Sequence, residues 1–175
     1  MDRVSIIPVK PELFDTYIRV GAQSYREHYL HLWQKADPKA YMEVSFTKKV
    51  VQQEWEDSNC RLFLIYLEKN PAGILKLIMN KTLKEVAVRD CLFLERIYLL
   101  REYSGQGLGK YALKYIEALG CENNREKLCL ATMQKGRALD FYKQNGFSII
   151  GEKLLSFPGL VASERPMYIL CKNLK

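Results

Sequence analysis

The sequence predicts an α/β domain, and three observations predict it. Seven apolar runs of strand length, rich in Val, Ile, Leu, Phe and Tyr, are spread along the whole chain. Four longer stretches with apolar residues at helical spacing fall among them instead of forming a separate block. One strand-to-helix junction, Ser104-Gly105-Gln106-Gly107-Leu108-Gly109-Lys110, carries three glycines at alternate positions. With 175 residues, 48% of them hydrophobic, the chain suffices for one well-buried core and is short for two, so 1–175 reads as a single domain.

The elements follow in order. Val4 to Val9 is a short β-branched run ahead of Pro11 and reads as a first strand. Glu12 to Leu32 places Phe14, Tyr17, Ile18, Ala22, Tyr25, Tyr29 and Leu32 at helical spacing. Asp37-Pro38 then reads as a cap and first-turn proline for a second helix to about Asp57. Leu62 to Leu67 and Ala72 to Met79 are apolar runs separated by Glu-Lys-Asn-Pro, which predicts an antiparallel hairpin. Cys91 to Leu100 is a fourth strand, followed by the glycine turn and a helix from Tyr111 to about Ala118. A strand Lys127 to Thr132, a helix Gly136 to Asn145 and strands Phe147 to Leu155 and Pro166 to Lys172 complete the chain. The total is about seven strands and about four helices.

A strand that feeds a helix through alternating glycines is a phosphate cradle. Glycine allows positive φ and close backbone approach, and the free N–H groups at a helix start, backed by the helix dipole, attract an anion. Spacing separates the possibilities. A P-loop wants glycine five positions before the Gly-Lys pair and Ser or Thr after it, where this chain has Ser104 and Tyr111. A dinucleotide turn wants its third glycine one position later, where Lys110 stands.

Ser104 to Gly109 resembles the pyrophosphate loop of the GNAT N-acetyltransferases, Arg/Gln-x-x-Gly-x-Gly/Ala, with Ser104 replacing the usual Arg or Gln. Ala138-Leu139-Asp140-Phe141-Tyr142-Lys143-Gln144-Asn145-Gly146-Phe147 is similar to that superfamily's Ala-x-x-Phe/Leu-Tyr-x-x-x-Gly-Phe segment, at a matching order and separation. The two cover roughly the C-terminal half of the chain. Leu62 to Tyr66, Leu94 to Tyr98 and Ala138 to Phe147 further resemble the microbial PaiA-type spermidine/spermine N-acetyltransferases. The resemblance implies a mixed, twisted sheet with helices on both faces, acetyl-CoA as co-substrate and an amine acceptor. A polyamine is the leading acceptor. Protein N-termini or other small amines are the alternative, and a coenzyme-A-sensing module without turnover is the non-enzyme alternative.

Acetyl transfer to an amine needs a neutral amine, a polarised thioester and a proton for the leaving thiolate. An alkyl ammonium with a pKa near about 10.4 is rarely neutral at pH 7, so something must take its proton. Glu95, inside an apolar strand ten residues before Gly105, stands where the spermidine/spermine enzymes have the acid proposed as base, so the resemblance implies that it takes this proton or binds the amine. Burial there is expected to raise its pKa, and pairing with Arg96 is the competing reading. Tyr142 takes the family's general-acid role toward the coenzyme A sulfur, against plain packing beside Phe141. The resemblance also implies cofactor contacts from the backbone of Ile97, Tyr98 and Leu99, with the Leu99 amide polarising the thioester. The amides of Gly105, Gln106, Gly107, Leu108, Gly109 and Lys110 would hold the pyrophosphate. Lys110, Lys135 and Lys143 are candidates to meet phosphate charge, Lys135 standing where the family often has Asn.

Composition narrows the rest. The net charge of +7 comes from basic residues dispersed among acidic ones, which favours a solvated surface over a nucleic-acid face. His28 and His31, near Tyr25, Tyr29 and Trp33, supply too few ligands for a metal and read as packing or rim residues, while the aromatics could cradle a cationic amine. No metal is expected. Five scattered cysteines without Cys-x-x-Cys spacing predict free thiols and no disulfide framework. No apolar run reaches membrane-spanning length and no leader pattern opens the chain, so the expected location is cytoplasmic. Family members commonly dimerise through their C-terminal strands, which makes a homodimer the expected partner state.

Overall fold

The structure, a computed structural model, describes residues 3–174. Seven strands form one mixed sheet: β1 Val4–Pro8, β2 Cys60–Leu67, β3 Asn70–Leu83, β4 Val88–Leu99, β5 Lys127–Met133, β6 Ser148–Leu154 and β7 Pro166–Asn173. They lie in the order β1-β2-β3-β4-β5-β7-β6. The β4–β5 pair is parallel and every other neighbouring pair is antiparallel. A parallel pair needs a crossover, and helix α4, Leu108–Glu122, supplies it. The other helices are α1 Phe14–Tyr29, α2 Lys39–Ser45, α3 Lys48–Glu56 and α5 Arg137–Gln144.

Side chains alternate between the two faces of a strand, and β2 shows the result. Phe63 and Ile65 join the core beneath α4 and α5, where Leu113, Ile116 and Tyr142 are buried. Leu62 and Leu64 join a second core beneath α1 and α3, with Phe14, Tyr17 and Val51. Both faces are thus covered, which is why the central strands read as continuous apolar runs.

Several expected boundaries shift for identifiable reasons. The helix expected to end near Asp57 is two helices, making five α-helices among the described residues. Phe46 leaves helical geometry at φ −131° and is buried, and Thr47 caps α3 by accepting the Val50 N–H at 3.3 Å. Phe46 turns inward because Gly21 on α1 leaves room for its ring, which a Cβ at that position would strike. Helix α1 stops at Tyr29, before two 3-10 turns. Strands β3 and β4 extend past the apolar runs into a mostly polar, exposed hairpin end whose pattern carries no burial signal. Helix α4 starts at Leu108 because Gly107 is its cap.

The cysteine expectation is corrected. Cys129 on β5 faces Cys171 on β7, with Cα atoms 4.1 Å apart, and the two are joined as a disulfide. They lie 42 residues apart in sequence, so only the β5–β7 register brings them together. Denatured, unreduced protein should therefore titrate three thiols, those of Cys60, Cys91 and Cys121. Reduction should raise the number to all five cysteines of the chain. Five thiols before reduction would show the pair open. Among the described residues, no helix is long and apolar enough to cross a membrane, and no group of three or more His, Cys, Asp or Glu side chains is placed to hold a metal ion.

Candidate active site

The site begins where the parallel pair ends. β4 and β5 pair only at Leu92–Leu128, Phe93–Cys129 and Leu94–Leu130, although both strands continue beyond. The last third of β4 therefore has a free edge. The Leu100 N–H donates to the Ala72 carbonyl on the β3 side at 2.9 Å, so the Leu99 carbonyl of the same peptide points the other way. Strand alternation turns the N–H and C=O of Ile97 and the N–H of Leu99 to that free edge, and keeps those of Tyr98 in the ladder opposite Ile74. The Leu99 carbonyl accepts a hydrogen bond from His28 Nε2 at 3.0 Å. The Tyr98 hydroxyl pairs with that of Tyr41 at 2.7 Å.

Glu95 is the extra residue of a β-bulge, since Lys76 faces Arg96 while Leu77 faces Leu94. A bulge bends the strand and re-aims one side chain. The Glu95 carboxylate pairs with Lys76, which also holds Glu54 at 2.6 Å. Arg96, the competing partner considered from sequence, instead gives two hydrogen bonds of 3.1 Å to Glu54. The expected upward shift of Glu95 is accordingly reversed. Burial pushes its carboxyl up, but Lys76, by charge and hydrogen bond, together with Arg96 and Lys81, holds it below the ordinary carboxylate value. A lowered folded pKa contributes stability that is present above the unfolded value of about 4.3 and is lost as the pH falls through the folded value. Glu95→Gln should thus be less stable than the parent at neutral pH, with the difference vanishing in acid. Urea midpoints measured from pH 7 downward check this, and a pH-independent difference would contradict it.

The glycine turn follows β4. Gly105 and Gly107 have φ of 77° and 84°, with open space where a side chain would be, so their requirement is conformational. The first helical bond of α4 runs from the Tyr111 N–H to the Gly107 carbonyl. The amides of Leu108, Gly109 and Lys110 therefore have no acceptor within the helix and point outward from its start. Gly109 serves a different need, because a Cβ there would lie 3.2 Å from the Phe141 ring of α5. Gln106 turns its side chain back to the Glu102 carbonyl at 2.8 Å. Lys110 and Lys143 are exposed, whereas Lys135 is tied to Glu164 at 2.9 Å and the Ser163 carbonyl at 3.1 Å.

On α5, Phe141 is half-buried against Gly109, and Tyr142 is buried with its ring edge-on to Phe141 and Phe147. Burial, with a smaller effect from Tyr29, raises the Tyr142 phenol above its usual value. The group stays protonated at neutral pH. Tyr29 belongs to a wall on the α1 side: Tyr25 stacks on Tyr41 at 4.3 Å, and Tyr29 packs on Tyr98 at 5.5 Å. Burial, then the neighbouring Tyr41, pushes Tyr29 up to about 12. The segment from Phe157 to Arg165, without an assigned role from sequence, closes over this wall, Phe157 meeting Tyr41 at 5.6 Å.

Two features escaped sequence reasoning. One is the clasp between α1 and the glycine turn, in which the Glu27 carboxylate accepts the Arg101 N–H at 2.7 Å and the Arg101 guanidinium bonds the Glu27 carbonyl. It joins residues 74 apart and leaves no local pattern. The other is the charge cluster around Lys76, for which a lysine inside an apolar strand was the available signal.

Splayed parallel strands beside a glycine-capped helix define an acyl-CoA-dependent acyltransferase architecture, and the chain belongs to the acetyltransferase (GNAT) family, which matches residues 22–147. A relative described as an uncharacterized N-acetyltransferase in the pepI 3′ region of Lactobacillus delbrueckii subsp. lactis is 22% identical over 87% of this chain and 88% of its own. The PaiA N-acetyltransferase of Thermoplasma acidophilum, solved in complex with coenzyme A, superposes with a TM-score of 0.76 at 17% identity, covering 97% of this chain and 98% of that one. A variant of the spermidine N-acetyltransferase SpeG of Vibrio cholerae gives a TM-score of 0.70 at 13% identity, over 99% and 95%. These likenesses establish a shared fold.

Proposed function

We propose that the chain moves the acetyl group of acetyl-CoA to a primary amine by direct attack, with a polyamine as the leading acceptor. The observation that carries this reading is the free edge of β4 beyond Leu94, next to the unpaired amides of Leu108, Gly109 and Lys110. The residues fit coenzyme A. An extended pantetheine arm can add to the edge at Ile97 and Leu99 as a further strand. The pyrophosphate suits the α4 amides and the turn of Gly105 to Gly107, with Lys110 and Lys143 free to approach phosphate. Lys135 would first have to leave Glu164. Acetyl-CoA brings the activated thioester; the Leu99 amide can polarise its oxygen, and Tyr142 can protonate the leaving sulfur.

The aromatic wall and the Glu95 rim suit a cationic amine, and PaiA and SpeG are similar in fold. A second reading, an acceptor with a single amine such as a protein N-terminus or a small amine, is favoured by the pairing of the nearby carboxylates: Glu95 with Lys76, Glu54 with Lys76 and Arg96, and Glu27 with Arg101. A cytoplasmic location and a homodimer through the C-terminal strands belong to the same proposal. The edge strand β6, with Ile149, Ile150 and Leu154 exposed, supports the dimer.

Free-thiol release from acetyl-CoA, measured against spermidine, spermine, small monoamines and short peptides, tests the reading. Turnover confined to spermidine and spermine supports a polyamine acceptor, and turnover confined to peptides or monoamines moves the acceptor to the second reading. Tight acetyl-CoA binding with no turnover across the panel would favour a cofactor sensor.

A further inference from the structure

We infer that His28 takes the proton from the acceptor amine at its Nδ1, while its Nε2–H remains on the Leu99 carbonyl. The inference rests on the acetyltransferase reading above and adds a proton acceptor to it.

The hydrogen bond fixes the tautomer. A carbonyl oxygen can only accept, so at 3.0 Å the Nε2 of His28 must carry the hydrogen. In the neutral ring the lone pair then lies on Nδ1. The ring also has the right address. Leu99 ends the free edge of β4, and the neighbouring Tyr29, whose ring is 6.2 Å from that of His28, packs on Tyr98. His28 thus links the strand that would polarise the thioester to the wall that would meet the amine.

The competing bases are occupied. Glu95 and Glu54 are neutralised by Lys76 and Arg96, and Glu27 holds the Arg101 N–H. The groups beside His28 are Glu27 and Tyr29 on its own helix and the Leu99 carbonyl of β4, while Arg101, from the segment after β4, is fastened to Glu27. Among them, His28 alone offers an uncommitted nitrogen lone pair.

The step balances. The ammonium gives one proton to Nδ1, and the neutral nitrogen forms the C–N bond as the C–S bond breaks. The departing thiolate takes the Tyr142 proton, and the second nitrogen proton, released as the amide forms, restores the phenol. His28 then returns its proton to solvent.

Two measurements test this. Nitrogen NMR of protein with labelled histidine rings, without cofactor, should show His28 as the Nε2–H tautomer; an Nδ1–H tautomer overturns the inference. In the second, His28→Gln keeps an N–H donor near the Nε2 position and removes the Nδ1 lone pair. Its kcat/KM at pH 7 should fall by about a hundredfold, a typical loss for a general base. The acid limb of the parent's pH profile should disappear, while acetyl-CoA affinity by calorimetry, which also reports folding, should stay within about threefold. Parent turnover with an unchanged rate and acid limb in His28→Gln overturns the role of His28 alone. Absence of parent turnover on every amine overturns the acetyltransferase reading, and this inference with it.

Discussion

Tyr142→Phe is expected to lower kcat by about two orders of magnitude, the usual scale for loss of a positioned acid, while the Kd for acetyl-CoA stays within about threefold. Phenylalanine keeps the ring that meets Phe141 and Phe147, so the packing of α5 on the sheet should survive. Only the hydroxyl is removed. Burial holds that hydroxyl protonated well past neutrality, which keeps the acid loaded but weakens it. The weakening matters less than in water, because a thiolate leaving into the same dry surroundings also becomes more basic. Single-turnover rates beside calorimetric affinity separate the two effects. A collapse in affinity with an unchanged rate per bound cofactor would make Tyr142 a packing residue and leave the leaving group to solvent.

The fold was legible because the central strands are buried on both faces and the glycine turn sits at one junction. Gly107 had to cap α4, and Gly109 had to be small for Phe141, so those glycines mark the helix start in the sequence itself. What the sequence hid depends on register. The bulge that makes Glu95 the extra residue follows from how β3 and β4 pair. With that pairing Glu95 meets Lys76 instead of Arg96, and its pKa moves opposite to the direction expected from apolar neighbours. The Cys129–Cys171 pair likewise exists only in the β5–β7 alignment. His28 reads from sequence as a packing or rim residue, although it stands near the end of α1. The backbone carbonyl that it binds, 71 residues away, had no signature.

Glu54→Ala should destabilise the protein by about 3–5 kcal/mol, the range for removing one partner of a buried ion pair. Glu54 reaches from α3 to Lys76 on β3 and Arg96 on β4, and its side chain is 14% exposed against 8% for each of the two cations. With Glu95, the four groups carry two charges of each sign. Removing Glu54 leaves Arg96 without its carboxylate and Lys76 with Glu95 alone. The lost energy is then mostly the uncompensated charge left behind, not the intrinsic worth of the bridge. Glu54→Gln, which preserves size and some hydrogen bonding, should therefore be destabilised as well, though by less. Urea denaturation in low and high salt reads both, and the loss should persist in salt because the pair is shielded from solvent ions. A loss below about 1 kcal/mol would place the cluster with exposed ion pairs. The site gives this cluster a second consequence: Lys76 freed from Glu54 can bind Glu95 more completely, which would lower the carboxyl further and leave still more of the deprotonation to His28.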